Sequence, residues 1–159
     1  MSKAKFYYKD INAPKPNKPN HIGTSAIIKY NDKILLEKRV DSDRWALIGG
    51  GLNLIESLEE GIIREIKEET GLKINKNSLK FWKIYSDPSR IAEYPDGNVL
   101  RVITVVYMLE LNNEYELICS EESEELKYFS INELSNINIA ETHKHIIEEY
   151  IYEENLKVI

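Results

Sequence analysis

The chain has one cysteine, Cys119, so no disulfide forms within it and its stability must come from packing. Cys119 lies in a mixed apolar and polar stretch and reads as a small buried or half-buried residue. No apolar run is long enough to span a bilayer, and the first residues, MSKAKFYYKD, lack the apolar region of a secretory signal. A cytoplasmic enzyme is the simplest expectation. Excess positive charge is also missing. The net charge of −6 argues against general affinity for a nucleic-acid backbone and disfavours a role on RNA. Histidine is scarce, and His143 and His145, two apart on a helical stretch, point away from each other, which argues against a metal pair. Internal repeats, a Walker loop, zinc-ligand spacing and a serine-nucleophile elbow are absent.

What is present suits one globular domain with its own core: 159 residues, 42% hydrophobic and 30% charged. Residues 1–20 form a tail and a proline-rich connector, in which APKPNKPN alternates proline with polar residues and cannot pair within a sheet. Phe6, Tyr7 and Tyr8 ahead of it have three open fates: packing on the body, adding an edge strand or contacting a second subunit. Residues 21–159 form the domain. His21 to Tyr30 and Lys33 to Arg39 read as a β-hairpin about Asn31-Asp32. Trp45 to Ile48 is a short strand leading into a glycine turn, Leu79 to Ser86 another strand, and Tyr94-Pro95-Asp96-Gly97 a turn before the long strand that begins at Val99. SEESEE, residues 120–125, is an acidic loop ahead of the strand-like Leu126 to Phe129. Ser130 with Glu133 is a capping box, and Ile139, His143, Ile146, Ile147, Tyr150 and Ile151 recur as on an amphipathic terminal helix.

The chemistry concentrates in GGGLNLIESLEEGIIREIKEETGL, from Gly49 to Leu72. Ser57 and Glu60 form a capping box that starts a helix near Leu58, and Gly71 ends it after Thr70. Ile62, Ile63 and Ile66 make its apolar stripe. Glu65, Glu68 and Glu69 stand at i, i+3 and i+4, so their carboxylates share one face. Three acids near a helix C-terminus repel one another and oppose the helix dipole. A divalent cation removes that conflict, and hard carboxylate oxygens with phosphates and water are what Mg²⁺ prefers. Gly61 should cost the helix about 1 kcal/mol relative to alanine unless it allows close packing against a strand.

The spacing is specific. Gly50, five residues, Glu56, seven residues, Arg64-Glu65-Ile66, one residue, Glu68-Glu69, one residue and Gly71-Leu72 occupy every fixed position of the Nudix box. The chain therefore resembles the Nudix hydrolase family, with Ile48, Ile55 and Gly61 departing from the commonest neighbours without removing a ligand. The resemblance implies an α/β fold, an α/β/α sandwich with a mixed β-sheet, the box helix on one face and the C-terminal helix on the other. It implies Mg²⁺-dependent hydrolysis, with Mn²⁺ as an alternative ion, of the diphosphate in a small-molecule nucleotide. ADP-ribose or a nucleotide sugar leads; the alternatives are an ordinary or oxidised nucleoside triphosphate, or a ligand sensor of the same fold without turnover. Metal ligands by resemblance are Gly50, Glu56, Glu65, Glu68 and Glu69. Arg64 orients a box carboxylate, and the general base is Glu68, Glu65 or a loop glutamate among Glu121, Glu122 and Glu124, with Glu122 first. Arg39, Arg44, Trp45 and Arg101 are the substrate-binding candidates, against the alternative of a buried tryptophan and surface arginines. Pro88, sixteen residues past Leu72, resembles a proline of the ADP-ribose-cleaving branch, against plain turn chemistry in Asp-Pro-Ser. Many members pair two chains to complete the pocket, which makes a homodimer an expectation here.

Overall fold

The computed structural model describes residues 3–157. The strands are β1 Lys5–Tyr7, β2 His21–Tyr30, β3 Lys33–Arg39, β4 Trp45–Gly51, β5 Leu79–Tyr85, β6 Ile91–Glu93, β7 Val99–Glu110 and β8 Ser123–Ser130. The helices are α1 Leu58–Thr70, α2 Ile131–Leu134 and α3 Glu141–Leu156. Among the described residues no helix is long and apolar enough to cross a membrane.

Local chemistry sets the first hairpin. Asn31 and Asp32 take φ of 47° and 61°, the left-handed pair that matches strand twist in a tight turn, and Tyr30 pairs with Lys33 across it. The sheet order is β1-β6-β7-β2-β4-β3-β8, with β5 also on β7. The β2–β7 ladder is parallel and its neighbours are antiparallel, so the sheet is mixed. Side chains alternate between its faces. Ala26, Ile28, Leu35 and Ile48 meet Ile62 and Ile66 of α1, whereas Ile27, Ile34, Leu36 and Leu47 meet Ile146, Ile147 and Tyr150 of α3. This is the α/β/α sandwich, with a helix covering each face. Ile62 and Ile66 are both fully buried, and each burial contributes about 1.5–3 kcal/mol.

Five local expectations change. Gly49 to Gly51 do not turn; they continue β4, paired with Ser25, Thr24 and Gly23 of β2. Their lack of side chains serves close approach, since a Cβ on Gly49 would lie 2.0 Å from the Thr24 carbonyl oxygen. The cap of α1 is one-sided: the Glu60 N–H donates to Ser57 Oγ at 3.1 Å, but the return bond from Glu60 is not made. The full reciprocal box occurs at Ser130 and Glu133. Gly61 packs against a loop rather than a strand, where a Cβ would come within 2.9 Å of Leu52 Cδ1 and 3.2 Å of Glu56 Oε1. Cys119 is exposed, its thiol reaching only the Ser123 carbonyl at 3.2 Å. β8 starts at Ser123, so the second half of SEESEE is strand.

The aromatic tail becomes an edge strand. Lys5, Phe6 and Tyr7 pair with Glu93, Ala92 and Ile91 of β6. The Tyr8 ring stacks on His145 of α3 with centroids 3.8 Å apart. The connector is held as well: Asn17 Nδ2 donates to the Gly97 carbonyl at 2.9 Å and Asn17 Oδ1 accepts from the Val99 N–H at 2.9 Å.

Because only the Ser57 half of the α1 cap is made, Ser57→Ala should remove all of it. The expected loss is about 1 kcal/mol of unfolding free energy, read as a lower midpoint in a denaturant titration with unchanged slope.

Candidate active site

The acidic face of α1 lies on the glycine segment of β4. A Cβ on Gly50 would stand 2.5 Å from Glu65 Oε1, so glycine there is what lets the carboxylate come down onto the backbone. One turn on, Glu69 Oε2 accepts from the Gly49 N–H at 3.0 Å. Both glutamates are buried. Arg64 is the organising cation. Its Nε and Nη2 grip Glu56 at 2.9 and 2.7 Å, Nη1 reaches Glu65 at 2.8 Å and Glu68 at 3.1 Å, and Nη2 also donates to the Gly51 carbonyl at 3.0 Å. One planar fork thus fixes three carboxylates and ties the helix to the strand.

A fifth acid joins from β3. Glu37, on the α1 face of the sheet by alternation with Leu35, is 2% exposed and accepts from Ser123 Oγ at 2.5 Å. Burial, and then the charge of Glu37, pushes Glu69 up to about 10. Burial likewise raises Glu37 to about 7, while Ser123 and Arg39 act against the rise. Burial raises Glu65 too, with Arg64 opposing it. Glu56 goes the other way, held down to about 2 by the Arg64 bonds and the Asn53 N–H. Buried carboxylates that repel one another and face backbone are a fitting donor set for a hard divalent cation, whose charge would offset both burial and repulsion.

On the far side of Gly49–Gly51 an open cleft lies between the sheet and α3, a concave site of the kind that takes small-molecule ligands. Its walls include Phe6, Tyr94 and Ala92, with Thr142 and His143 contributed by α3. Arg39 lines it as well, bonded bidentately to Asp41 at 2.7 and 2.6 Å with its guanidinium 5.7 Å from the Phe6 ring centroid.

A NUDIX domain model matches residues 19–150. The chain belongs to the Nudix family. Its Nudix relatives include an ADP-ribose pyrophosphatase of Methanocaldococcus jannaschii, 35% identical over 137 residues that cover 84% of this chain and 75% of the relative. A nucleoside triphosphatase NudI of Klebsiella pneumoniae is 28% identical, covering 69% of this chain and 83% of that protein. Among solved structures, a bifunctional NMN adenylyltransferase/ADP ribose pyrophosphatase from Francisella tularensis, complexed with AMP and Mn ion, superposes with a TM-score of 0.71 at 26% identity. That match covers 87% of this chain and 43% of the bifunctional one. A MutT protein from Methanosarcina mazei Go1, at 24% identity and a TM-score of 0.65, shares the fold. The Nudix chain is accordingly a hydrolase of pyrophosphate bonds.

Within this Nudix site the structure brings Gly50, Glu56, Arg64, Glu65, Glu68 and Glu69 together. Glu56 accepts from Arg64 Nε and Nη2 and from the Asn53 N–H, and so fixes the Arg64 guanidinium. Glu68 is the most open of the set, with a side chain 57% exposed. Glu122 lies in the exposed turn before β8 and is near enough to Glu37 and Glu65 to raise both their pKa values, whereas Glu124 turns to Lys38 at 3.6 Å. Of the substrate-binding candidates only Arg39 lines the cleft. Trp45 falls on the α3 face by strand alternation and packs edge-on against Phe129 at 4.7 Å. Arg44 pairs with Glu141 at 3.2 Å, and Arg101 donates to the Ser86 carbonyl at 2.6 Å. Pro88 sits in a turn closed by Asp87, whose side chain accepts from the Ser89 N–H at 2.9 Å. The two late histidines part company: His143 Nδ1 accepts from the Leu47 N–H, and His145 Nε2 from Arg90.

Glu37, Phe6, Tyr94 and His143 went unseen as site residues. Glu37 had one signal, an acid inside the apolar alternation of KILLEKR. The other three had none, because sheet pairing and helix docking bring them in from distant parts of the chain.

The raised carboxylates carry a sign that can be checked. Native Glu37 and Glu69 keep protons that the unfolded chain releases above about 4.5, so the metal-free protein binds more protons folded than unfolded. Its stability should fall as pH rises from about 4.5, through about 7 for Glu37 and on toward about 10 for Glu69. Added Mg²⁺ or Mn²⁺ should raise the Tm more at mildly alkaline than at mildly acidic pH, measured by calorimetry with and without chelator.

Proposed function

We propose that the chain is a Mg²⁺-dependent pyrophosphohydrolase that cleaves ADP-ribose to AMP and ribose 5-phosphate. The observation that carries this reading is the shared wall: Gly49–Gly51 face the box carboxylates on one side and line the aromatic cleft on the other. A nucleoside diphosphate derivative fits that layout, with its base in the cleft and its diphosphate over the acids. The 35% identity to a protein named ADP-ribose pyrophosphatase, and the AMP and Mn ion named with the bifunctional relative, support the choice within the class.

Glu65, Glu68 and Glu69, with the Gly50 carbonyl, would hold the cation. When bound, it supplies charge neutralisation on phosphate and an activated water. The chain's own groups do the rest. Arg64 keeps Glu65 and Glu68 in one orientation, and Glu56 keeps Arg64 in place. Water attacks one phosphorus in line, its proton passes to a carboxylate, and the bridging P–O bond breaks, leaving two monophosphates. We assign the proton to Glu68, the exposed member of the set, with Glu122 in the neighbouring turn as the competing base. Phe6 and Tyr94 provide apolar walls for the base, and Arg39, held by Asp41, caps the Phe6 ring.

A triphosphate reading has its own support, in relatives named nucleoside triphosphatase NudI at 28% and 30% identity. Product masses separate the two. With Mg²⁺, ADP-ribose should give AMP and ribose 5-phosphate, and nucleoside triphosphates should be poor substrates; preferential release of pyrophosphate from a triphosphate would move the assignment there. Chelation should abolish turnover, and Glu68→Gln should lower kcat by about 10²-fold or more while the far-UV spectrum is unchanged. A near wild-type rate for Glu68→Gln would transfer the base role to Glu122. Phe6→Ala should raise KM for ADP-ribose by about ten-fold with a smaller effect on kcat, because it removes a binding wall and leaves the box acids intact.

A further inference from the structure

His143 reaches the cleft from α3 with one ring nitrogen already committed. At Trp45, β4 is bonded to the chain leading into α3: the Trp45 N–H donates to the Asn138 carbonyl and the Ala140 N–H to the Trp45 carbonyl, both at 2.9 Å. Pairing of β4 with β2 begins only at Ile48. Between the two, the Leu47 N–H donates to His143 Nδ1 at 3.0 Å, so the imidazole satisfies a backbone donor where the strand changes partner.

That bond decides the tautomer. A nitrogen that accepts carries no proton, so a neutral ring must carry its proton on Nε2. The ring is neutral: burial, then the positive charges of Arg90, Arg39 and His145, push its pKa down to about 3. Nε2 has no protein partner among the described residues, while the half-buried ring lines the cleft. An N–H donor held in position by the Leu47 bond is thereby offered to a pocket that combines apolar or aromatic walls, Phe6, Tyr94 and Val102, with polar ones, His21, Ser25 and Arg39. Pockets of this kind take orientation from a few placed polar groups.

We propose that His143 is a specificity-determining residue whose Nε2–H donates to a ring nitrogen of a purine seated between Phe6 and Tyr94. The assignment rests on the reading that the cleft receives the base of the substrate. The ring nitrogens of a purine are acceptors and match an N–H fixed in position by the Leu47 bond, and a pKa near 3 keeps that donor present across the working pH range. His143 touches neither the box carboxylates nor Arg64 in the bonds described, so it acts on binding and orientation rather than on the reacting phosphorus.

Two substitutions separate this role from the structural one. His143→Asn places an amide oxygen near Nδ1, keeping the Leu47 bond and removing the Nε2 donor; His143→Gln reaches the Nε2 position with an amide N–H₂ and gives up the Leu47 bond. Calorimetric titrations of the full chain with AMP, GMP, CMP, UMP and ribose 5-phosphate are the readout. Wild type should bind a purine monophosphate. His143→Asn should weaken that binding by about ten-fold, with ribose 5-phosphate unchanged and Tm close to wild type. His143→Gln should keep more nucleotide affinity than His143→Asn despite a lower Tm. Equal nucleotide binding by wild type and His143→Asn overturns the proposal, as does a wild type that prefers a pyrimidine or binds no nucleoside monophosphate. If GMP is preferred to AMP and the Asn/Gln contrast holds, the ADP-ribose assignment falls and the role of His143 stands. Should either variant fail to fold, imidazole ¹⁵N spectra of the wild type decide: the Nε2–H resonance should move on saturation with the bound purine monophosphate, and a stationary resonance overturns the proposal.

Discussion

The close approach of α1 to the glycine segment of β4 is the constraint on which the site depends. Glu65 can lie on Gly50, and Glu69 on the Gly49 N–H, only because no Cβ stands between helix and strand. The contact brings buried carboxylates together at a cost in repulsion and desolvation, which the raised pKa values of Glu37, Glu65 and Glu69 record. Arg64 offsets part of that cost on the rim, and its bond to the Gly51 carbonyl locks the helix against the strand at the same time. A site arranged in this way carries uncompensated negative charge that a multivalent cation would offset.

The second half of the molecule is built from elements far apart in the chain. β1 arrives from the N-terminus, β6 and Tyr94 from the middle and α3 from the C-terminus, and they meet around the same glycine segment. Buried Arg90 is the joint between them. It donates to the Val102 carbonyl and Thr104 on β7, to the Thr142 carbonyl on α3 and to His145, on which Tyr8 stacks. Among the described residues no carboxylate is a hydrogen-bond partner of Arg90, and burial pulls its pKa down to about 10, so the cation is held by carbonyl dipoles. Tail, long strand and terminal helix therefore share one anchor.

Much of the fold was legible because its signals are local. Asn31-Asp32 sets a hairpin, Ser57 and Gly71 bound a helix, and i, i+3, i+4 spacing puts Glu65, Glu68 and Glu69 on one face, each through interactions within a few residues. Gly50, Glu56 and Arg64 were named instead by the resemblance, through the long fixed spacing of the box. Trp45 shows where such reasoning ends. It precedes the box directly, yet one residue of strand parity turns it to the opposite face and into the core against Phe129. Arg44 and Arg101 likewise found partners at Glu141 and the Ser86 carbonyl that no spacing rule could name.

The sequence by itself determined the family, the sandwich, the limits of α1 and the set of box carboxylates, since each follows from short-range geometry or from a long fixed spacing. Only the tertiary structure decided that Gly49 to Gly51 are strand rather than turn, that Glu37 joins the acids, that the tail is an edge strand with Phe6 in the cleft, and that His143 lines that cleft with Nδ1 on the Leu47 N–H. These outcomes depend on strand pairing, register and helix docking between segments tens of residues apart. They are set by which backbone donors remain unpaired and which surfaces must be buried once the whole sheet has closed.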